Sequence, residues 1–305
     1  MYDMVIVGAG IAGLTAAIYG RRAGKSVLVL EGKVYGGQII NTFSIENWPG
    51  DYKVSGVDLM KKIYQQALDL GVEVEFEEVM EIVDKGEHKE IIGEDEKYQA
   101  KTVILAVGAE DKRLNIPGEE RLAGRGVSYC ATCDGALFKD KTVAIIGGGN
   151  TALYDALYLS NIVKKIYLVH RRGEFRGDKV LVEKVRKKDN VEFALGHVPE
   201  EIVGDKKVSG VKLVASGTVD EVEGLRELDV DGVFVAIGEK PMTEKFAELV
   251  ELDKDGYIVA GEDCKTSRDG VYVAGDCRTK EVRQLVTAAS DGAIAAGEAV
   301  KYLNK

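Results

Sequence analysis

The sequence predicts an α/β fold with two nucleotide-binding units, and three observations support this prediction. The order of apolar run, glycine turn, helical stretch and second apolar run occurs twice along the chain. Glycine accounts for 36 of the 305 residues and proline for 4, a balance typical of tight strand-to-helix turns. The apolar content of 45% provides enough hydrophobic side chains for two ordinary domains.

The first copy of the pattern begins with an apolar run over residues 3–7. The glycines that follow are Gly8, Gly10 and Gly13. In this order, such glycines permit a tight turn, let a pyrophosphate approach the backbone and let helix and strand pack closely. The helix N-terminus offers N–H groups to phosphates, and Glu31, after the second apolar run, can accept hydrogen bonds from ribose hydroxyls. This copy predicts a dinucleotide with a free ribose 2′-hydroxyl; the alternative is a purely structural turn.

The second copy follows an apolar run over residues 142–146, and its turn and helix start include Gly147, Gly149, Asn150 and Thr151. The position equivalent to Glu31 is occupied by His170. The basic residues that follow are Arg171, Arg172 and Arg176. Guanidinium groups bind a 2′-phosphate through charge-assisted hydrogen bonds, whereas a carboxylate would repel it. The second copy therefore predicts NADP, and the alternative is a solvated surface run that includes Glu174.

Two dinucleotide sites in one chain predict hydride transfer between two cofactors. FAD suits the first site, because a flavin is usually held permanently, and NADPH suits the second, because a nicotinamide cofactor exchanges with solution. The sequence thus predicts an oxidoreductase that binds FAD and NADPH.

A pair of cysteines, Cys130 and Cys133, lies just ahead of the second glycine motif. Cysteines at this spacing can close a small disulfide, and such motifs often have a lowered thiol pKa. Disulfide exchange starts from a thiolate, so a nearby group must accept the proton of the attacking thiol and return a proton to the displaced thiolate. The neighbouring Asp134 is the predicted proton donor and acceptor. The alternatives are a structural zinc site for the cysteines and a helix cap or surface carboxylate for Asp134. We assign no function to Cys264 and Cys277.

The charge balance argues against a nucleic-acid partner. The chain has 41 Lys and Arg against 51 Asp and Glu, a net charge of −10, whereas nucleic-acid phosphates require clustered basic residues. Residues 4–20 carry no charged side chain, but Asp3 precedes them, so we interpret them as a buried strand and helix rather than a secretory signal. The sequence predicts a cytoplasmic protein with no membrane segment and no metal.

Further motifs accompany the two glycine turns and the cysteine pair, in an order that covers essentially the whole chain. They are Gly36-Gly37-Gln38, Glu46-Asn47-Trp48-Pro49-Gly50, Ile116-Pro117-Gly118-Glu119-Glu120, Gly126-Val127-Ser128-Tyr129, the run from Gly270 to Asp276, Arg283-Gln284 and Ala288-Ala289. In this combination the chain resembles the low-molecular-weight, bacterial-type thioredoxin reductases, which are pyridine nucleotide-disulfide oxidoreductases of class II.

This resemblance implies two Rossmann-like domains of the FAD/NAD(P)-binding, glutathione-reductase-like type, with three-layer ββα character. The FAD-binding domain would comprise residues 1–113 and 241–305, and residues 114–240 would form an inserted NADPH-binding domain that carries the cysteine pair. The resemblance further implies a homodimer and hinges near residues 113 and 241, because family members rotate one domain against the other between the half-reactions.

The resemblance also implies site residues and a reaction. The residues expected to contact FAD include Gly37, Gln38, Asn47, Gly275, Asp276, Arg283, Gln284 and Ala289. Of these, Arg283, Gln284 and Ala289 are expected to border the isoalloxazine. The implied reaction passes a hydride from NADPH to FAD and then electrons to the Cys130–Cys133 disulfide, and the resulting dithiol reduces thioredoxin. By position, Cys133 matches the cysteine that faces the flavin, and Cys130 matches the one that attacks thioredoxin.

The chain departs from the family pattern at Val107, Tyr154 and Met242, and none of these replaces a catalytic group. One alternative is a ferredoxin–NADP reductase, a group that lacks the cysteine pair. Another is a thioredoxin reductase supplied by ferredoxin or another donor, a group that has lost the second glycine motif and the arginines. A redox-sensing flavoprotein is the third. Because the cysteine pair and the arginines are both present, the sequence favours an NADPH-dependent thioredoxin-disulfide reductase.

Overall fold

The computed structural model describes residues 1–42, 44–219 and 224–305, and in it the chain divides into two compact units. Unit 1 comprises Met1–Glu110 and Lys240–Lys305, and unit 2 comprises Asp111–Glu239. The chain passes between them in two short strands that pair with each other. The predicted α/β fold class is confirmed. The domain limits at 113/114 and 240/241, and the cofactor assigned to each domain, stay predictions.

Each unit contains a strand–helix–strand segment at its glycine turn, as the repeated sequence pattern predicts, and further along the chain a run of consecutive strands. The strands are β1 (Tyr2–Val7), β2 (Val27–Leu30), β3 (Glu73–Glu75), β4 (Val79–Asp84), β5 (Lys89–Gly93), β6 (Lys97–Leu105), β7 (Ala109–Asp111), β8 (Val127–Ser128), β9 (Thr142–Ile146), β10 (Lys165–His170), β11 (Val191–Leu195), β12 (His197–Gly204), β13 (Val208–Ala215), β14 (Leu225–Asp229), β15 (Gly232–Val235), β16 (Glu239–Pro241) and β17 (Val271–Val273). The α-helices are α1 (Ile11–Arg22), α2 (Gly56–Asp69), α3 (Ala131–Asp134), α4 (Asn150–Leu159), α5 (Lys179–Arg186) and α6 (Leu285–Leu303). Short 3₁₀ helices span Gly37–Asn41, Gly135–Phe138 and Glu244–Phe246.

Unit 1 is built on a seven-stranded sheet in the order β3-β2-β1-β6-β5-β4, with β17 also paired to β6. Strand β1 runs parallel to β2 and to β6, so that Met4 lies opposite Val27 on one side and Thr102 on the other. Strand β17 is parallel to β6, whereas β4, β5 and β6 form an antiparallel meander. The carboxyl ends of β1, β2, β6 and β17 therefore share one edge of the sheet, where ligands bind in open α/β sheets.

The core of unit 1 follows from the alternation of side chains along these strands. The buried residues that pack with α1 and α6 include Met4, Ile6, Val29 and Ile104. Those on the opposite face, which pack with residues 246–258, include Val5, Val7, Leu28 and Leu105. Helices α1 and α6 approach so closely that a Cβ atom on Gly292 would overlap the carbonyl oxygen of Ala12, so only glycine fits at this position. This contact fixes α1 in place and therefore also fixes the glycine turn from which it starts.

Unit 2 contains a five-stranded parallel sheet, β11-β10-β9-β15-β8, and a three-stranded antiparallel sheet, β12-β13-β14. On one face of the parallel sheet, Ile145, Leu168 and Phe234 pack with buried helix residues such as Leu153. On the other face, Ala144 and Val233 pack with buried residues of the antiparallel sheet such as Val211 and Leu213. Strands β9 and β10 end beside each other, which places the second glycine turn next to His170.

Candidate active site

The first glycine turn joins β1 to α1. Two of its glycines leave no room for a side chain, and the third leaves open space. Gly8 has a φ of +105°, and a Cβ atom there would overlap the carbonyl oxygen of Ala106. A Cβ atom on Gly13 would overlap the carbonyl oxygen of Gly8. Gly10 differs, because a Cβ atom there would meet no atom of the described chain within 4 Å. Gly10 is the N-cap of α1, and its open side is the direction from which a phosphate can approach the helix N-terminus.

Glu31 lies beside this turn, as the predicted ribose ligand should. Its Oε2 accepts a hydrogen bond from the Ala9 backbone N–H at 2.8 Å, and its Oε1 accepts one from the Lys33 N–H at 3.0 Å. The Gly36 N–H donates to the Ala9 carbonyl at 2.8 Å. A Cβ atom on Gly37 would lie 3.5 Å from the Gly10 Cα. The structure thus brings the glycine turn, the acid and the Gly36-Gly37 segment together at the sheet edge.

Four other residues predicted to contact FAD form hydrogen bonds in pairs. The Asn47 side-chain amide donates to the Gln284 Oε1 at 3.1 Å, and the Arg283 Nε donates to the Asp276 carbonyl at 3.4 Å. A Cβ atom on Gly275 would lie 3.0 Å from the Ala12 Cβ, which puts the Gly275–Asp276 turn against the first turn of α1. Two further members of this set are Gln38, exposed on the same short helix as Gly37, and Ala289, which packs against the core. Contact of these residues with a flavin stays a prediction.

The Gly275–Asp276 turn is held by Asp291, a residue that the sequence analysis missed. The Asp291 carboxylate accepts hydrogen bonds from the Gly275 N–H at 3.0 Å, from Arg278 at 2.9 and 3.0 Å, and from the Lys280 Nζ at 2.8 Å. Arg278 is 2% exposed and the Lys280 and Asp291 side chains are each 5% exposed. Burial alone would raise the pKa of Asp291, but the hydrogen bonds from Arg278 and Lys280 hold that pKa below its usual value. The carboxylate is therefore ionised and binds two buried cations to a turn beside α1.

The second glycine turn repeats the geometry of the first in unit 2. A Cβ atom on Gly147 would overlap the carbonyl oxygen of Ala236, whereas one on Gly149 would meet no atom of the described chain within 4 Å. Gly149 is the N-cap of α4, as Gly10 is of α1. Within the described residues, neither helix has a side-chain cap or an acid in its first turn. Thr151 is exposed in the first turn of α4. Both helix starts are therefore open to an anion.

The loop that carries the arginines, residues 171–178, is called the basic loop below. Its distal end is bound to the second glycine turn, because the N–H groups of Arg176 and Gly177 donate to the Gly148 carbonyl at 2.8 and 3.2 Å. The Asn150 side chain adds two hydrogen bonds to Asp178, at 2.8 and 3.1 Å. The side chains of Arg171, Arg172 and Arg176 are exposed. The loop thus presents three cations beside an open helix N-terminus.

His170 does not share this exposure. It is 5% exposed and stacks on the Phe175 ring at a centroid distance of 5.5 Å, beneath the basic loop. Burial lowers the pKa of His170, and the positive charges of Arg176, Arg171 and Arg172 lower it further. The imidazole is therefore neutral at neutral pH and supports the loop from below. Direct contact of His170 with a nucleotide stays a prediction.

Cys130 and Cys133 form a disulfide with an S–S distance of 2.08 Å and a Cα–Cα distance of 5.3 Å. Cys130 is the N-cap of the four-residue helix α3, and the Cys133 N–H donates to its Sγ at 3.2 Å. Cys130 is half-buried, and Cys133 is exposed. The predicted disulfide pair is therefore formed and reachable from outside the chain.

Asp134 is bound to Ser128, a second residue that the sequence analysis left without a role. The Ser128 hydroxyl donates to the Asp134 Oδ2 at 2.6 Å and accepts from the Cys130 N–H at 3.1 Å. Burial raises the pKa of Asp134, and the hydrogen bond from Ser128, which favours the ionised form, offsets part of that rise. A carboxyl group that keeps its proton to higher pH than usual can supply it to a thiolate.

Replacing the hydroxyl tests this pairing. We expect Ser128→Ala to raise the pKa of Asp134 further, because the cause that lowers it is removed while burial remains. The measurement is a pH titration by ¹³C NMR of the protein labelled at aspartate carboxyl carbons, with Asp134→Asn used to assign the resonance. Ser209→Ala, at an exposed serine of β13, is the control and should leave the titration unchanged. An Asp134 pKa that stays the same or falls in Ser128→Ala would contradict the pairing.

Glu119 and Tyr129 connect two of the sequence motifs. Glu119 is 2% exposed and accepts hydrogen bonds from the N–H groups of Leu114 and Asn115, at 2.9 and 2.7 Å, and from the Tyr129 hydroxyl at 2.9 Å. Burial raises the pKa of Tyr129, and the hydrogen bond to Glu119 raises it further. Because Tyr129 directly precedes Cys130, this buried bond fixes the strand that leads into the disulfide.

The departures from the family pattern leave these arrangements intact. Val107 packs against the core of unit 1, and the Met242 N–H donates to the Gly108 carbonyl at 3.1 Å. Tyr154 is exposed on α4, and burial raises the pKa of its neighbour Asp155 to about 7.

Across residues 1–42, 44–219 and 224–305, no helix combines the length and apolar character needed to cross a membrane. In the same ranges, no three or more His, Cys, Asp or Glu side chains are grouped so that they could hold a metal ion.

The donor groups in the two units fit two different dinucleotides. Within the described residues, both glycine turns leave open space at the N-cap glycine, Gly10 or Gly149, and no side chain caps the helix that starts there. In unit 1 the strand after the glycine turn and helix, β2, is followed by the Glu31 carboxylate. In unit 2 the equivalent strand, β10, is followed by the exposed arginines of the basic loop. A ribose hydroxyl suits Glu31, whereas a ribose 2′-phosphate suits the basic loop.

Comparison with known proteins agrees with this architecture. The chain matches the pyridine nucleotide-disulphide oxidoreductase family over residues 2–293. It is 42% identical to a thioredoxin reductase of Listeria innocua, covering 100% of this chain and 95% of that protein. A thioredoxin reductase of Bacillus subtilis is 39% identical, with coverage of 100% and 96%. The solved thioredoxin reductase of Streptococcus pyogenes matches with a TM-score of 0.95 and 40% identity, covering 100% of this chain and 98% of that one.

Proposed function

Because the chain belongs to the pyridine nucleotide-disulphide oxidoreductases, and among them to the thioredoxin reductases, we propose that it reduces the disulfide of thioredoxin with electrons from NADPH. The observation that carries this proposal is the Cys130–Cys133 disulfide, formed beside the half-buried Asp134 carboxyl group in the unit that also holds the second glycine turn. A disulfide, a proton carrier and a nucleotide site in one unit are the parts that this chemistry requires.

We assign the two cofactors by the groups that the glycine turns offer. Unit 1 would hold FAD, with the pyrophosphate at the start of α1 and the ribose at Glu31. Unit 2 would hold NADPH, with the pyrophosphate at the start of α4 and the 2′-phosphate at the basic loop. Bound FAD supplies two-electron chemistry, accepting a hydride from a nicotinamide and delivering electrons to a disulfide.

The residues of the chain then carry the thiol chemistry. Two electrons and two protons convert the Cys130–Cys133 disulfide into a dithiol. The thiolate of one cysteine attacks the disulfide of thioredoxin, forms a mixed disulfide and displaces one thioredoxin thiolate. The thiolate of the other cysteine attacks the mixed disulfide, restores the Cys130–Cys133 bond and displaces the second thioredoxin thiolate. Asp134, whose pKa is raised by burial, holds the proton that a displaced thiolate needs.

The proposal is tested by measuring thioredoxin reduction with each of three electron donors. We expect the purified FAD-containing protein to reduce oxidised thioredoxin with NADPH, much more slowly with NADH, and not with reduced ferredoxin. A protein that accepts electrons from ferredoxin alone would instead be a ferredoxin-supplied reductase. An anaerobic NADPH titration that leaves the bound flavin oxidised, together with no activity from any donor, would favour a redox-sensing flavoprotein.

The basic loop gives a prediction about nucleotide choice. We expect Arg171→Ala combined with Arg176→Ala to raise the KM for NADPH strongly and the KM for NADH little. A hydrogen bond to a charged group contributes about 1.5–3 kcal/mol, so each lost contact corresponds to an increase on the order of ten- to a hundredfold. The measurement is steady-state kinetics with both nucleotides. Arg186→Ala, at an exposed arginine of α5, is the matched control. Equal effects on NADPH and NADH would show that the loop does not bind the 2′-phosphate.

Two further parts of the proposal concern assembly and location. We propose a homodimer, which sedimentation equilibrium of the FAD-containing protein would test directly. We place the enzyme in the cytoplasm, because reduction of disulfides by NADPH belongs to a reducing compartment.

A further inference from the structure

The basic loop has two ends, and they are anchored to different parts of unit 2. Its distal end is bound to the second glycine turn through Arg176, Gly177 and Asp178, as described above. Its proximal end, at Arg171, leads out of β10 and faces the turn that follows β13. Three cations can bind one phosphate together only if the backbone between them is held in place.

Two hydroxyl groups hold the proximal end. The Ser216 Oγ donates to the Arg171 carbonyl oxygen at 2.6 Å, and the Thr218 Oγ1 donates to the same oxygen. The Thr218 N–H in turn donates to the Ser216 Oγ at 3.3 Å. A carbonyl oxygen has two lone pairs, so it can accept both hydroxyl protons at once.

The same turn is fixed to the neighbouring strands. The Ser216 N–H donates to the Gly196 carbonyl at 2.7 Å, and the Gly196 N–H donates to the Arg172 carbonyl at 3.3 Å. A Cβ atom on Gly173 would lie 3.4 Å from the Val219 side chain, so the turn also touches the middle of the loop. The backbone of the arginines is therefore attached to the two turns at Gly196 and Ser216, which flank the antiparallel strands β12 and β13.

We propose that Ser216 and Thr218 are positioning residues that set the preference of this chain for a 2′-phosphate. Neither residue offers its hydroxyl proton to a nucleotide, because the two hydroxyl groups lie 2.8 Å apart and direct their protons to the Arg171 carbonyl or to each other. They act by holding the backbone of Arg171 and Arg172 in place, so that the three exposed guanidinium groups of the loop can bind one 2′-phosphate together. This inference rests on the proposed use of NADPH and adds the residues that make the loop selective.

The test measures nucleotide binding without electron transfer. Adenosine 2′,5′-bisphosphate and 5′-AMP are titrated into the FAD-containing protein by isothermal titration calorimetry. In the double variant Ser216→Ala/Thr218→Val, we expect 2′,5′-bisphosphate binding to weaken by about three- to tenfold, the equivalent of one ordinary hydrogen bond, because the two lost bonds act on the ligand only through the loop. Binding of 5′-AMP, which lacks the 2′-phosphate, should stay unchanged. The ratio of KM values for NADPH and NADH should shift in the same direction.

Control variants separate positioning from general support. Ser216→Thr and Thr218→Ser each keep a hydroxyl and should bind both probes as the parent protein does. Ser209→Ala removes a hydroxyl that donates to the Val203 carbonyl elsewhere in the same sheet, and it should have no effect. If the double variant weakens both probes equally, the residues support the fold and the inference is wrong.

The remaining outcomes distinguish this inference from the proposed function. If the parent protein binds 2′,5′-bisphosphate and 5′-AMP equally, the assignment of NADPH to the basic loop fails, and the inference fails with it. If the parent protein prefers the 2′,5′-bisphosphate and the double variant keeps that full preference, only the inference is overturned.

Discussion

Replacing either Cys130 or Cys133 by serine is expected to abolish thioredoxin reduction while leaving the flavin reducible by NADPH. A hydroxyl oxygen cannot form the disulfide, so the remaining thiol cannot store two electrons or resolve a mixed disulfide. Anaerobic titration with NADPH should still bleach the flavin, because neither cysteine belongs to a nucleotide turn. The activity is measured as NADPH oxidation that depends on added thioredoxin.

Two controls make this result specific. NADPH-dependent reduction of ferricyanide, which takes electrons from a flavin without a dithiol, should persist in both variants. Cys264→Ser applies the same substitution at a buried cysteine outside the pair, where a serine hydroxyl can donate to the Asp291 carbonyl as the thiol does. It should retain thioredoxin reduction. Thioredoxin reduction by Cys130→Ser or Cys133→Ser would disprove the assignment of the pair.

The same two variants assign the role of each sulfur. Cys133 is the more exposed member of the oxidised pair, whereas the family resemblance gives the attack on thioredoxin to Cys130. Each variant is reduced and mixed with thioredoxin that carries a thionitrobenzoate group on its exposed cysteine. If Cys130 is the attacking residue, Cys133→Ser releases thionitrobenzoate quickly and accumulates a mixed disulfide, and Cys130→Ser does so slowly. The opposite order would give the attack to Cys133.

The second large effect is expected at Asp291. Asp291→Ala would leave Arg278 and Lys280 buried without their shared carboxylate and would free the Gly275 N–H. Removing one partner of a buried ion pair costs about 3–5 kcal/mol of unfolding free energy. Because Gly275 and Asp276 are predicted flavin contacts, the variant should also lose FAD more readily than the parent protein.

Denaturant unfolding, followed by the fluorescence of released flavin, measures this loss. Asp291→Asn keeps oxygen and shape but not charge, so its transition should fall between those of the parent protein and Asp291→Ala. Glu244→Ala removes one side of an exposed ion pair with Lys240 and should change the free energy by about 0.5 kcal/mol or less. An Asp291→Ala transition that coincides with that of Glu244→Ala would show that the buried cluster does not stabilise unit 1.

The free energy of unfolding should also depend on the Asp291 cluster at acidic pH. The pKa of Asp291 is lower in the folded chain than its ordinary value. The stability it contributes is therefore present above the ordinary carboxyl pKa and is lost as the pH falls through the lowered one.

The features that local sequence spacing determines could be predicted. Two strand-to-helix turns could be predicted from the glycines at 8, 10 and 13 and at 147 and 149. Tight turns and open helix starts require glycine at fixed intervals. The cysteine spacing likewise indicated the disulfide, which the structure contains. His170 shows the limit of this reasoning. Its position suggested a nucleotide contact, which stays a prediction, but nothing in the spacing indicated that the ring is buried and stacks on a phenylalanine five residues later.

The residues that hold the sites in place could not be predicted in the same way. Asp291 lies 16 positions from Gly275, and Ser216 lies 45 positions from Arg171, so each acts through a partner that only the fold brings near. Serine, threonine and aspartate are common on surfaces, so nothing in their type distinguishes these copies from solvated ones. Ser128 is the exception, because its position two residues before Cys130 gave a local clue.

The division of unit 1 between the two ends of the chain has a consequence for biosynthesis. Unit 2 is one continuous segment, so a nascent chain can complete it before translation ends. Unit 1 must wait for β17 and α6, which supply a central strand partner and the helix that packs on α1. If unit 1 binds the flavin, as proposed, capture of the flavin is expected to follow release from the ribosome. A chain truncated before residue 271 would then contain a complete unit 2 and an incomplete flavin site.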